Sequence, residues 1–160
     1  MTSRLPTAVM TALLSTALSH AAHAQTGRLH LGPHVSYNID ARDLGIGAQL
    51  SVPVARHLEF YPSFDYFFVD VGSLIAINAD LKYRLATESL NWLYVGGGLN
   101  ISRAAAGGVS STDAGVNLLA GAESLRGTVH PFGEFRLTVG NGSTAQIAVG
   151  LNFTLGQHVR

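Results

Sequence analysis

The chain has 160 residues, the length of a single domain, with ten acidic and ten basic side chains. Balanced charge gives no reason to expect a nucleic-acid partner. The sequence has no cysteine, which excludes disulfides, thiol catalysis and thiolate metal sites.

The N-terminal residues have the pattern of a secretory signal peptide. Arg4 supplies a positive charge, the stretch 8–18 is apolar, and Ala22 and Ala24 form a small-x-small cleavage site. The apolar stretch is shorter than the roughly 20 residues that a membrane-spanning helix needs. We therefore predict a signal peptide at 1–24 and an exported mature domain at 25–160.

The mature chain shows eight segments in which apolar and polar or small residues alternate. Strict alternation predicts β-strands, since successive side chains in a strand point to opposite faces. We expect strands at 28–39, 44–54, 58–69, 74–86, 92–102, 112–123, 128–139 and 144–155. The connections are short enough for hairpins, which predicts an antiparallel meander. Only 103–111 is expected to be a longer flexible loop, with Gly107 and Gly108 giving it flexibility.

Such a sheet can close into a barrel with its apolar face inward or outward. An inward face predicts a secreted soluble barrel that binds a hydrophobic ligand, whereas an outward face predicts a transmembrane barrel. The polar faces carry mainly Gly, Ser, Asn, Gln and Thr, a poor surface for a soluble protein. Aromatic residues on the apolar faces suit the lipid interfaces. These are Tyr37, Phe60, Phe68, Tyr83, Phe135 and Phe153.

Charged residues within the strands lie on the polar faces. In "NADLKYRLA", for example, Asp80, Lys82 and Arg84 share one face, opposite Leu81 and Tyr83. Turning them to lipid would cost up to a few kcal/mol for each basic residue, so we expect the lumen to hold them. An eight-stranded barrel is just wide enough for side chains to fill. The predicted lumen ion network contains Glu59, Asp65, Asp80, Lys82, Arg84, Glu134 and Arg136. Asp113 and Glu123 also lie on polar faces, and a narrow ion path is the less favoured alternative.

Neither a metal site nor catalysis is expected. His30 and His34 lie about 13 Å apart on one strand, too far to share one ion. A lipid-modifying hydrolase would need a serine beside a histidine and a carboxylate. The nearest set, His130 with Glu134, has Phe132 between them and no serine. We therefore predict a protein without cofactor, metal or enzymatic activity.

The last predicted strand, "AVGLNFTL" at 148–155, resembles the C-terminal assembly signal of bacterial outer-membrane β-barrels. Gly150, Phe153 and Leu155 occupy the signal positions, although Leu155 replaces the usual final Phe and residues 156–160 follow. The mature chain as a whole resembles small eight-stranded outer-membrane proteins of the OmpA-domain or OmpX type.

This resemblance implies several properties beyond the fold. The protein would be a monomer in the outer membrane, with a structural or surface-interaction role. It would contact outer-membrane lipid and lipopolysaccharide, and the β-barrel assembly machinery and periplasmic chaperones would insert it. Both termini would then be periplasmic and the connection at 103–111 external.

Overall fold

The protein is a closed antiparallel barrel of eight strands. The computed structural model describes residues 28–87 and 89–155, so the predicted signal peptide and the tail after Leu155 lie outside the described residues. Each strand pairs with its sequence neighbours, and β1 pairs with β8 to close the sheet. The strands are β1 (Leu29–Asn38), β2 (Asp43–Ala55), β3 (Leu58–Phe68), β4 (Ser73–Arg84), β5 (Leu93–Ala106), β6 (Val109–Glu123), β7 (Val129–Gly140) and β8 (Thr144–Leu155). The predicted eight-stranded up-and-down barrel is therefore confirmed. Within the described residues, no helix has the length and apolar character needed to cross a membrane.

Alternation along each strand separates an apolar exterior from the lumen. On β4, Ile77 and Leu81 are 56% and 48% exposed. Asp80 and Lys82, the two neighbours of Leu81, are fully buried. The pattern follows from the two-residue period of a strand, which sends neighbouring side chains to opposite faces of the sheet. Because the sheet is closed, one face becomes the outer surface and the other becomes the filling of the barrel.

The connection between β5 and β6 differs from the prediction. Arg103 pairs with Thr112 and the ladder continues to Ala106 and Val109, so the expected loop at 103–111 is a continuation of two strands. Gly107 and Gly108 alone form the turn, with φ of 58° and 82°. A two-residue hairpin turn of type I′ requires positive φ at both positions, which glycine adopts without steric cost. The flexible-loop prediction was wrong because small Ala and Ser residues on both faces hide the alternation.

The connections divide the barrel into two ends. The turns after β1, β3, β5 and β7 lie at what we call the loop end, and the β5–β6 hairpin projects there with most residues exposed on both faces. The turns after β2, β4 and β6 lie at the opposite end. That end also holds the start of β1 and the finish of β8, and we call it the terminal end.

Candidate functional site

The lumen is the candidate site, and aromatic rings and a lysine fill its middle. Tyr61, Lys82 and Tyr94 are almost completely buried. The Lys82 ammonium lies 4.5 Å from the ring centre of Tyr61 and 4.9 Å from that of Tyr94, which places it between two aromatic faces. Gly121 on β6 leaves room for this arrangement, since a Cβ there would lie 2.4 Å from the Tyr94 ring. The middle of the barrel is therefore packed by side chains.

A first group of charges lies toward the terminal end, and we call it the terminal cluster: Glu59, Lys82, Arg84 and Glu123. Lys82 Nζ lies 2.9 Å from Glu59 and 3.2 Å from Glu123. Arg84 Nη2 lies 3.0 Å from Glu59 and 2.8 Å from Glu123. Each base thus contacts both acids, and the two positive and two negative charges balance. Three strands, β3, β4 and β6, are connected through these four side chains.

A second group, the central cluster, consists of His34, Asp65, Asp80, Glu134 and Arg136. Arg136 Nη2 lies 2.9 Å from Glu134 and 3.1 Å from Asp80, and Nη1 lies 3.9 Å from Asp65. His34 Nε2 lies 2.8 Å from Asp65. Three carboxylates therefore surround one arginine and one histidine. Charges buried in this way are costly unless each has a partner, and removing one partner typically costs about 3–5 kcal/mol.

Neutral polar side chains donate further hydrogen bonds to these carboxylates. The Tyr94 hydroxyl donates to Glu134 over 3.0 Å, and Asn117 Nδ2 donates to Asp80 over 2.9 Å. Asn152 Nδ2 donates to Glu123 over 2.8 Å. These bonds hold the carboxylates in place within the low-dielectric interior, although Asp80 Oδ2 has only its ionic contact with Arg136.

All seven residues of the predicted ion network face the lumen, and the structure divides them between the two clusters. Glu59, Lys82 and Arg84 belong to the terminal cluster, and the other four belong to the central cluster. The predicted set left out Glu123, which contacts both bases of the terminal cluster. Its only signal in the sequence was its place on the polar face of β6. Asp113 is different, because it is exposed near the loop end.

The three positions of the predicted assembly signal lie on β8, one of the two strands that close the barrel. Phe153 and Leu155 face outward and pair with Leu31 and Leu29 of β1. Gly150 faces the lumen, where a Cβ would come within 2.7 Å of His34. The predicted aromatic residues on the apolar faces are all exposed. Phe135, however, lies in the middle of β7 rather than near an end.

Histidines from different strands meet at the terminal end. His30 of β1 and His130 of β7 have ring centres 4.8 Å apart, and each Nδ1 lies 3.9 Å from Glu123 Oε1. From the sequence, we compared His30 with His34 on one strand and His130 with Glu134 on another, but not His30 with His130. The actual neighbours come together because the barrel closes, which no spacing along the chain displays.

Comparisons with known proteins fit this architecture. Neisserial surface protein A is 15% identical, with a TM-score of 0.56 over 80% of this chain and 95% of that structure. The N-terminal β-barrel domain of Pseudomonas aeruginosa OprF is 16% identical, with a TM-score of 0.58 over 78% and 96%. Ail, the attachment invasion locus protein of Yersinia pestis, is 12% identical, with a TM-score of 0.53 over 80% and 97%.

The chain has the fold of small eight-stranded outer-membrane β-barrels. No protein-family model and no curated protein sequence matches it. At these low identities the similarity concerns the fold, and the residues of the lumen have to be interpreted from their own geometry.

Proposed function

We propose that the protein is an integral outer-membrane barrel with a structural or surface-interaction role. The observation that carries this proposal is the apolar exterior, which has large exposed hydrophobic side chains on every strand. A soluble monomer rarely exposes so large a continuous apolar surface, whereas a transmembrane barrel requires an apolar band about 25 Å tall. One representative from each strand, in order, is Val35, Ile46, Phe64, Ile77, Leu99, Leu118, Phe135 and Val149.

The filled lumen supports a role without catalysis or transport. A soluble barrel for a hydrophobic ligand would need an apolar interior, but Asp65, Asp80 and Lys82 are fully buried there. A conducting path would have to pass Tyr61 and Tyr94, which enclose the Lys82 ammonium. We therefore expect no single-channel conductance when the refolded barrel is added to planar lipid bilayers.

Export, assembly and lipid contact follow from the same proposal. The signal peptide at 1–24 directs the chain across the inner membrane, and periplasmic chaperones and the β-barrel assembly machinery insert it. Gly150, Phe153 and Leu155 are the recognition positions, and Phe153 and Leu155 lie on the outer face of β8. The inserted monomer contacts outer-membrane lipid and lipopolysaccharide. The projecting β5–β6 hairpin is the part that reaches farthest from the membrane.

Fractionation of bacteria that express the full-length chain tests the location. We expect the protein in the outer-membrane fraction, with faster gel migration before boiling than after it, as a folded barrel resists detergent. A matched chain that lacks residues 2–24 controls for export and is expected to remain in the cytoplasm. Recovery of the full-length chain as a soluble periplasmic protein would contradict the proposal.

A further inference from the structure

Three side chains that could bind a metal converge at the terminal end of the lumen. His30 is the second residue of β1, His130 the second of β7, and Glu123 the last of β6. One ligand atom from each lies within 4.8 Å of the other two. Glu123 is fully buried and His130 is more than nine-tenths buried, while the His30 side chain keeps 13% exposure. The group is thus enclosed but has an opening toward the terminal end.

The two imidazoles present unused nitrogen atoms to this group. Among the described residues, neither His30 Nδ1 nor His130 Nδ1 has a hydrogen-bond partner, although both atoms are buried. His130 Nε2 lies 3.1 Å from the carbonyl oxygen of Gly127, which can only accept. In this contact Nε2 is the donor, and Thr154 Oγ1 lies 3.3 Å from the same atom. Nδ1 lies 3.9 Å from Glu123 Oε1 without a hydrogen bond, so it is the nitrogen that could bind a metal. A second ring nitrogen held by a backbone carbonyl is the usual arrangement of a metal-binding histidine.

The Glu123 carboxylate is divided between two tasks. Oε2 faces the bases of the terminal cluster, 3.2 Å from Lys82 and 2.8 Å from Arg84. Oε1 faces both histidines and accepts a hydrogen bond from Asn152. One oxygen thus anchors the carboxylate, while the other remains available for a ligand bond.

We propose that His30, His130 and Glu123 form a binding site for a divalent transition-metal ion such as Zn²⁺. Two imidazoles and one carboxylate suit this class of ion, whereas Ca²⁺ and Mg²⁺ prefer sites made of oxygen atoms. Zinc bonds of about 2.0–2.2 Å place tetrahedral ligand atoms nearer one another than the 3.9 Å between each histidine Nδ1 and Glu123 Oε1. The side chains would therefore move slightly closer together around the ion. Lys82 and Arg84 already neutralise two carboxylates, and we therefore expect micromolar affinity rather than tighter binding.

Calorimetry on the untagged protein, expressed with its signal peptide, extracted from membranes into detergent and stripped of metal, tests the site. We expect one Zn²⁺ per chain in a ZnCl₂ titration and no binding of Ca²⁺. The paired substitution His30→Gln with His130→Gln should weaken Zn²⁺ binding at least tenfold. Co²⁺ gives a second readout, because its visible absorption reports on imidazole ligands and should disappear in the same variant.

Two other histidines provide matched controls. His57→Asn changes a histidine at the β2–β3 turn of the same end, and His158→Gln changes one in the tail outside the described residues. Both should bind Zn²⁺ as the unchanged protein does. Gel migration before boiling establishes that each variant is folded. If the double variant does not fold, the single variant His30→Gln, at a partly exposed side chain, is the reserve variant that replaces it. Absence of Zn²⁺ binding, equal binding by the folded double or reserve variant, or loss of binding in His158→Gln would overturn the proposal.

Discussion

Replacement of Arg136 by methionine tests whether the central cluster holds the barrel together. Methionine keeps much of the length of the arginine but removes the guanidinium, which contacts Glu134 at 2.9 Å and Asp80 at 3.1 Å. It also removes the hydrogen bond from Arg136 Nη1 to the Ser63 hydroxyl, 3.1 Å long. Among the described residues, Asp80 and Glu134 would then have no basic partner, and Asp65 would keep only its contact with His34.

The expected loss of stability is about 3–5 kcal/mol. At an effective dielectric constant of about 20, a pair of charges about 3 Å apart attracts by roughly 5 kcal/mol, and Arg136 makes two such contacts. Part of this loss is offset, because the guanidinium no longer has to be desolvated, a saving of several kcal/mol. The remainder matches the usual cost of leaving buried charges without a partner.

Unfolding by guanidinium in phospholipid vesicles measures this difference, followed through the fluorescence of Trp92, the only tryptophan. The matched control adds Asp80→Asn and Glu134→Gln to Arg136→Met, which removes the unpaired charges but keeps similar shapes. We expect this triple variant to recover more than half of the lost stability. A single variant within about 1 kcal/mol of the unchanged protein, or a triple variant as unstable as the single one, would refute the reasoning.

Four further substitutions test the faces, the lumen and the turn. Ile77→Arg places a charge on the outer face in the middle of β4 and should lower the free energy of unfolding by about 2–4 kcal/mol in the same vesicle assay. Ala76→Ser, on the lumen face, should leave it nearly unchanged. Equal effects of the two substitutions would contradict the assignment of faces. Tyr94→Phe leaves Glu134 without its hydroxyl donor and should lower the free energy of unfolding by about 1–3 kcal/mol; an unchanged value would show that this bond adds nothing. Gly107→Ala strains a turn with φ of 58° and should cost about 1 kcal/mol without changing membrane insertion, as fractionation would show.

Outside 103–111, alternation was enough to predict the strands and their faces, but not which residues meet across the lumen. A period of two assigns Glu123 and His130 to the polar faces. Hairpin pairing then places Glu123 opposite Phe132, which is the neighbour of His130 on the lumen face of β7. His30 reaches this pair only because β1 closes against β8, where it pairs with Thr154. Contacts across the lumen depend on the stagger of the closed sheet, which hairpin lengths alone do not define.

Apolar residues in the lumen were also difficult to predict. Leu119 is buried in the lumen together with Tyr61 and Tyr94. It follows Leu118, and only one of two adjacent strand residues can face lipid. Gly96 pairs with Leu119 on the neighbouring strand, and a Cβ on Gly96 would lie 2.9 Å from the leucine side chain. The interior is filled according to volume as well as polarity, so a large residue is placed where its neighbour has no side chain.

The ladder that closes the barrel is interrupted, and lumen side chains compensate for the interruption. Pairing between β1 and β8 covers 29–31 and 34–38 of β1 but omits Gly32 and Pro33. Proline has no N–H to donate, so a complete ladder cannot form there. At this level Gln49 of β2 donates to Asn152 of β8 across the lumen face of β1, over 2.6 Å. Asn152 in turn donates to Glu123, so the terminal cluster stabilises the closing strands as well as filling the lumen.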